Sequence, residues 1–364
     1  MKSRSCAVSH CIRPVFAMRS SICTLEKEKG ATYTLDISRL FWPPRSSLKS
    51  AGDGDMPDGV RTGPVGLSLA CLIGIKDNPV GFLRVPGALR FAAAPQGREI
   101  VNSERGMKRM EFIDLSVAIE HNTPSDPPSM PTEIDYWDHV KGAQQMKAFF
   151  AGISDADLPK GLGWSVEYIK LTTHSGTHLD APWHFHPTMD NGQPARTIDQ
   201  VPLKWCMSDG VSIHFDDKPD GYKVTAKDME QAFEKIGYRL KPLDIVLVCS
   251  GAARYWGSAE YLIRGCGMGR EATLWLLDRG VKIVGTDAWS WDRPLPLIAE
   301  EYSKTKDASL IWEGHFAGIE KEYYHMEKMT NIDKLPPYGF KVACFPIKIK
   351  AASAGWVRPV AILP

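Results

Sequence analysis

The sequence predicts a mixed α/β domain of some 255 residues that starts near Met110 and follows a poorly structured segment. Three observations carry this reading. From Met110 onward, short apolar runs of strand composition outnumber helical patterns, and several lie next to each other along the chain. Residues 1–106 instead mix Arg, Ser, Pro and Gly, as in Pro43-Pro44-Arg45-Ser46-Ser47 and Gly52-Asp53-Gly54-Asp55, with no sustained period of 2 or 3.6. The charge divides at the same place: residues 1–106 hold 15 Lys and Arg against 9 Asp and Glu, and residues 107–364 hold 29 against 34.

Two regions are therefore expected, 1–106 and 107–364. Three accounts of the first compete. Met1–Cys23 is Arg- and Ser-rich and acid-poor like a transit peptide, but the stretch after it is too long and too acidic. A second small domain would be built on the apolar run Val65–Ile75, which is about half the length of a membrane span. The favoured account is that translation begins at Met107 or Met110 and that the upstream residues belong to an over-extended reading frame. No secretory signal is expected, since Met1–Cys23 lacks a long apolar stretch.

The elements of the second region follow in order. Phe112–Ile119 reads as a strand, and the Pro-rich Thr123–Thr132 as a long loop. Val166–Thr173 has strand composition. Thr225 with Asp228 approximates a capping box, and Met229, Ala232, Phe233 and Ile236 recur at the helical period up to Gly237. Leu243–Cys249 reads as a buried strand, Glu271–Arg279 as a helix stopped by Gly280, and Val281–Gly285 as a further buried strand. Phe340–Ile349 and Trp356–Leu363 close the chain as strands.

Composition bounds the function. With 43% hydrophobic and 24% charged residues the chain is globular, and a net charge of +1 provides no field to draw it onto nucleic acid or an anionic membrane. Basic runs interleaved with aromatics are absent. Eight cysteines without regular spacing fit free thiols in the cytoplasm. The expected partner is a small molecule, with no nucleic acid and no membrane.

The chemistry concentrates between Leu171 and His186, where four of the chain's ten histidines, His174, His178, His184 and His186, fall within sixteen residues. Imidazole and carboxylate are the usual ligands of Zn²⁺ and also suit Mn²⁺ or Fe²⁺, and His174, His178 and Asp180 supply three within seven residues. Gly176 between Thr173 and Thr177 disfavours a helix, which places these ligands at a strand end and its turn. On a strand, His178 and Asp180 would point to the same side.

The run His174-Ser-Gly-Thr-His178-Leu-Asp180-Ala-Pro182-Trp-His184-Phe185 resembles the signature HxGTHxDxPxHF of the cyclase family of metal-dependent hydrolases, which includes bacterial kynurenine formamidase and isatin hydrolase. Asp114-Leu115-Ser116 resembles the family's opening strand, and the resemblance covers Met110–Pro364. It implies a swivelling β/β/α domain, a homodimer or homotetramer, and one or two divalent ions per subunit, Zn or Mn. It further implies that His174, His178 and Asp180 hold the first ion, with Asp180 able to bridge to a second held by His315 and Glu327, and that His184 is the catalytic base. Water bound to such an ion has a pKa near 7 rather than 15.7, so no protein nucleophile is required.

Other assignments are open. Asp287, Trp289 and Trp183 are candidate substrate-binding residues, although the Asp residues of Gly285–Asp292 would equally brace a turn and the Trp residues would equally pack. For the second ion, Glu320 or Glu322 rivals Glu327, and His325 rivals His315 if residues 322–325 are helical; His186, His214 and His325 are otherwise expected at the surface or packed. Gly265-Cys-Gly-Met-Gly269 does not directly follow a strand and is no dinucleotide loop, and no GxSxG elbow is present. The expected activity is opening of a cyclic amide or lactone, or cleavage of a formamide, in aromatic-compound catabolism. Extra loops at Pro124–Gly163 and Arg254–Gly269 favour ring opening over the arylformamidase of tryptophan breakdown. A non-catalytic metal-binding protein is the alternative of a different class, and His184 argues against it.

Overall fold

The computed structural model describes residues 110–364 and, upstream, only the strand segments Ile22–Lys27, Ala31–Asp36 and Glu99–Ile100. The chain divides into two units, Met1–Val85 and Pro86–Pro364. In the first, Ile22–Lys27 pairs antiparallel with Ala31–Asp36. The expectations for Val65–Ile75 and for a start at Met107 lie outside the described residues.

The second unit is built on one ten-stranded sheet. In chain order its strands are β1 (Glu99–Ile100), β2 (Glu111–Asp114), β3 (His178–Asp180), β4 (Met207–His214), β5 (Ile245–Cys249), β6 (Ile283–Thr286), β7 (Tyr324–Glu327), β8 (Phe340–Ala343), β9 (Ala354–Trp356) and β10 (Val360–Leu363). They lie side by side as β9-β3-β7-β6-β5-β4-β8-β10-β2-β1. The central four, β4 to β7, are parallel, and the flanking pairs are antiparallel. Burial on both faces explains the unbroken apolar run of β5, where every residue is buried. Ile245 and Leu247 enter a core on one face with Leu179, Met326 and Val342. Val246 and Val248 enter a second core on the other face, which holds Phe185, Met229, Phe233, Leu276 and Trp291.

Among the described residues, six α-helices accompany the sheet: α1 (His139–Phe149), α2 (Pro182–Phe185), α3 (Ala226–Ile236), α4 (Arg270–Leu277), α5 (Leu295–Thr305) and α6 (Glu313–Glu320). The expected capping box starts α3: Thr225 Oγ1 accepts from the Asp228 N–H at 3.2 Å, and Asp228 Oδ2 accepts from the Thr225 N–H at 2.9 Å. Gly237 ends the helix at φ 64°, a left-handed conformation that costs glycine little.

Several elements differ from expectation for local reasons. The opening strand stops at Asp114 because its carboxylate accepts from the Ser116 N–H at 3.0 Å and Oγ–H at 2.6 Å, turning the chain. The expected strand Trp356–Leu363 is two strands, β9 and β10, separated by residues 357–359, where Pro359 cannot donate to a ladder. Residues 322–325, read as conditionally helical, are not a helix: Tyr324–Glu327 form β7 instead. The four cysteines of the described region, Cys206, Cys249, Cys266 and Cys344, are free and buried, as expected.

Candidate metal centre and active site

The site is assembled by the register between β3 and β7. Asp180 stands opposite His325 and His178 opposite Glu327, with Leu179 opposite Met326 between them. Side chains alternate along a strand, so four polar residues share one face while Leu179 and Met326, both fully buried, anchor the other in the core. Ion-binding chemistry and core packing are thus interleaved residue by residue.

The first donor group combines the turn before β3 with the strand itself. His174 Nδ1 lies 2.9 Å and His178 Nε2 3.2 Å from Asp180 Oδ1. The far nitrogen of each ring is anchored, His174 Nε2 to Ser353 Oγ at 3.0 Å and His178 Nδ1 to the Gly176 carbonyl at 2.9 Å. With protons on those outer nitrogens, the inner ones present lone pairs, the arrangement that ligating imidazoles use. His178 Nε2 and Asp180 Oδ1 are buried yet make no hydrogen bond of acceptable geometry, although nitrogens stand within 3.2 Å of that oxygen. Buried polar atoms are normally paired, so this donor set fits a divalent cation.

The second group faces the first across the same carboxylate. Asp180, His315, His325 and Glu327 are all buried and bring one donor atom each within 4.8 Å of the others. His315 comes from the first turn of α6, and its Nδ1 donates to the Asp292 carboxylate, which also accepts from the Gly314 and His315 N–H groups at 2.8 and 3.0 Å. One residue therefore caps the helix and fixes the ring's orientation. Glu327 Oε1 accepts from the Trp291 N–H at 2.8 Å and lies 3.6 Å from His315 Nε2. Asp292→Ala should leave His315 in place on α6 but unoriented, weakening metal affinity by about 10- to 100-fold in a chelator competition titration.

Charge is balanced tightly here. Burial opposes ionisation of Asp180, but the surrounding His178, His184 and His174 hold its pKa well below the usual carboxylate range. Burial likewise opposes ionisation of Glu327, as does the charge of Asp180, and the hydrogen bond with His325 together with the charges of His325 and His315 outweighs both, lowering the pKa. Burial alone would depress His174 and His325, yet both are raised, His174 by Asp180 and His325 by Asp180 and Glu327. In the metal-free protein, protons on imidazole stand where a cation would otherwise offset the carboxylates.

His184 belongs to neither donor group. It is carried by the single turn α2, which begins at Pro182, and its Nε2 lies 3.7 Å from Asp180 Oδ2. Its ring is 4.0 Å from that of His174 and 5.6 Å from that of His315. Burial, together with the charges of His174 and His315, pushes its pKa down to about 3 against the pull of Asp180 and Glu327, so the imidazole is neutral near pH 7.

Lys328, immediately after Glu327, secures the ligand turn from behind. Its ammonium, 1% exposed, donates to the His174 carbonyl at 2.8 Å and pairs with Asp126 of the Thr123–Thr132 loop.

The structure thus brings together His174, His178, Asp180, His184, His315 and Glu327. His325, expected at the surface or packed, is packed and fully buried, and its Nε2 also lies 3.1 Å from both Asp180 Oδ2 and Glu327 Oε1. Glu320 and Glu322 are excluded as rivals because they pair with Arg270 and Arg196. Asp287 is also corrected: its carboxylate accepts from the Ser250, Gly251 and Ala253 N–H groups and the Ser250 hydroxyl, bracing the turn after β5 rather than meeting a substrate. Trp289 donates its indole N–H to Asp126 at 3.1 Å and stands over Lys328. Trp183 is 46% exposed on α2. The aromatic surface at the cluster is Trp312, unanticipated from the sequence, which stacks on His315 at 4.2 Å and lies 5.0 Å from His184. His214 is exposed, and His186 is half-buried and bonded to Thr188, as expected.

Residues 113–293 match the Cyclase family. Kynurenine formamidase of Bordetella petrii is 26% identical over 196 residues, 54% of this chain and 79% of the relative. Among solved structures, an isatin hydrolase bound to the product analogue thioisatinate superposes with a TM-score of 0.56 at 18% identity, over 70% of this chain and 93% of that one. Isatin hydrolase A from Ralstonia solanacearum gives a TM-score of 0.55 at 20% identity, over 70% and 92%. At these identities the two solved structures establish a shared fold. The matched segment contains the His174–Phe185 signature, and over residues 113–293 the chain carries the pattern of the cyclase family.

Proposed function

We propose that this enzyme, a metal-dependent hydrolase, cleaves the acyl C–N or C–O bond of a small aromatic-derived substrate: a cyclic amide or lactone that it opens, or a formamide. The observation that carries the reading is His184, a neutral imidazole beside the donor groups but in neither of them. A site built only to hold metal has no use for it.

His174, His178 and Asp180 would hold a divalent cation, Zn²⁺ or Mn²⁺, which when bound would supply Lewis-acid activation of the attacking water and polarisation of the acyl oxygen. His184 Nε2 takes the proton from the attacking water and returns it to the leaving nitrogen or oxygen. The two transfers serve a ring amide, a lactone and a formamide alike, which differ in leaving-group basicity. Trp312 offers a planar substrate an aromatic flank next to that imidazole. The curated relative's name favours the formamide. The long segment between Pro124 and Gly163, docked onto the ligand turn through Asp126 and Lys328, favours a site enclosed for a larger ring.

The exposed Tyr136, Phe149, Phe150, Tyr168 and Ile169 around α1 and the hairpin Glu133–Trp137/Val166–Lys170 support assembly into a homodimer or homotetramer. Among the described residues, no helix is long and apolar enough to cross a membrane.

The test is turnover by the full chain, stripped of metal and then given Zn²⁺ or Mn²⁺, against an N-formyl arylamine, isatin and an unsaturated aryl-derived lactone. Metal-restored hydrolysis of one member is the expected result and fixes the bond type. Stoichiometric metal without turnover of any member would overturn the substrate reading.

A further inference from the structure

We infer that His325 is a metal ligand and that it closes the inner position of the site, giving that position four protein donors where the outer position has three. The inference rests on the reading of the site as a metal centre given above. The inner donors are Asp180 Oδ2, His315 Nε2, His325 Nε2 and Glu327 Oε1. Their separations are 3.1 Å for His325–Asp180 and His325–Glu327, 3.6 Å for His315–Glu327 and 4.0 Å for His315–Asp180. A tetrahedral ion with ligands at about 2.1 Å has donor edges of about 3.4 Å, so these spacings bracket the requirement.

Three features make His325 a built donor. It has no solvent exposure, and its ring lies between Phe185, stacked at 5.0 Å and 17°, and Trp291, stacked at 6.1 Å and 16°, which fix its plane. Its Nδ1 faces Tyr323 Oη at 3.3 Å. That hydroxyl already donates to the Gly314 carbonyl at 2.7 Å, so it accepts from His325, leaving Nε2 as the lone-pair nitrogen aimed at the two carboxylates. The outer position, held by His174 Nδ1, His178 Nε2 and Asp180 Oδ1, keeps one tetrahedral direction open. Closed four-donor sites hold structural ions, and open three-donor sites leave room for water and substrate. The inner ion therefore binds more tightly and exchanges more slowly, fixing Asp180 and the Glu327 strand, while substrate chemistry belongs to the outer position.

The experiment is a Zn²⁺ titration of the metal-stripped full chain against a chromogenic chelator, with bound metal counted by elemental analysis and folding checked by circular dichroism. Wild type should bind two ions with affinities at least tenfold apart. His325→Asn keeps a donor where Nδ1 faces Tyr323 but removes Nε2, and should weaken the tighter class by about 10- to 100-fold while sparing the weaker one. His174→Asn should remove the weaker class and spare the tighter. If His325→Asn does not fold, Tyr323→Phe, which retains the imidazole and loses only its orienting oxygen, should show a loss of a few-fold in the same class. Unchanged tight affinity in these variants would overturn the inference. Increased affinity in His325→Asn would also overturn it, making His325 a cation that competes with the metal. Two ions bound as described without hydrolysis of any panel substrate would count against the proposed activity alone; restored hydrolysis with a single bound ion would count against the inner site alone.

Discussion

Asp180→Ala should abolish both metal binding and turnover. Its two oxygens serve different donor groups: Oδ1 lies within 3.2 Å of His174 Nδ1 and His178 Nε2, while Oδ2 lies 3.1 Å from His325 Nε2. Removing the side chain takes one donor from each group and leaves four buried or half-buried imidazoles without the carboxylate that aligns them. Loss of metal activation removes several kcal/mol of transition-state stabilisation, so kcat/KM should fall by about 10³-fold or more. Elemental analysis after dialysis should find almost no bound ion. The metal-free protein should also melt earlier, since an ion at about 1,000 times its Kd adds about 4 kcal/mol to the stability of the folded state. Retention of full metal stoichiometry by this variant would contradict the shared-carboxylate arrangement.

His184→Ala should separate the two properties that Asp180→Ala removes together. His184 is four residues beyond Asp180, but α2 turns its ring to the side of the cluster, with Nε2 3.7 Å from the carboxylate and Trp312 at 5.0 Å. Bound metal should stay at the wild-type level, and kcat should fall by about 10²- to 10⁴-fold, the usual contribution of a positioned general base. Added Zn²⁺ or Mn²⁺ should restore nothing. Equal activity would eliminate His184 as the base, and loss of metal would reassign it as a ligand.

Much of this site is legible in the residues from His174 to His184. Gly176 rules against a helix, the strand period puts His178 and Asp180 on one side, and the structure has both on β3, sharing a face. The same period was available at His325-Met326-Glu327, where an i, i+2 pair of donors flanks an apolar residue just as His178-Leu179-Asp180 does. It was obscured because Glu322 and His325 also fit a helical spacing, and nothing local decides between the two. Asp292, which orients His315, was visible only as one of several acidic residues in a turn. Trp312 lies three residues before His315 in an unpatterned stretch, and carries no sequence signal of its own.

The sequence by itself determined the local features: the candidate donor types, the strand that presents two of them, the further imidazole beyond them, and the capped helix from Thr225 to Gly237. Tertiary structure decided which residues meet. His325 and Asp180 are 145 positions apart, and they face each other because Leu179 and Met326 pack on the opposite side of the sheet and fix the β3–β7 register. A slip of one residue there would turn every donor into the core and every core residue into the site. Pairing of that kind is set by the burial of apolar side chains drawn from distant parts of the chain, which no local pattern records.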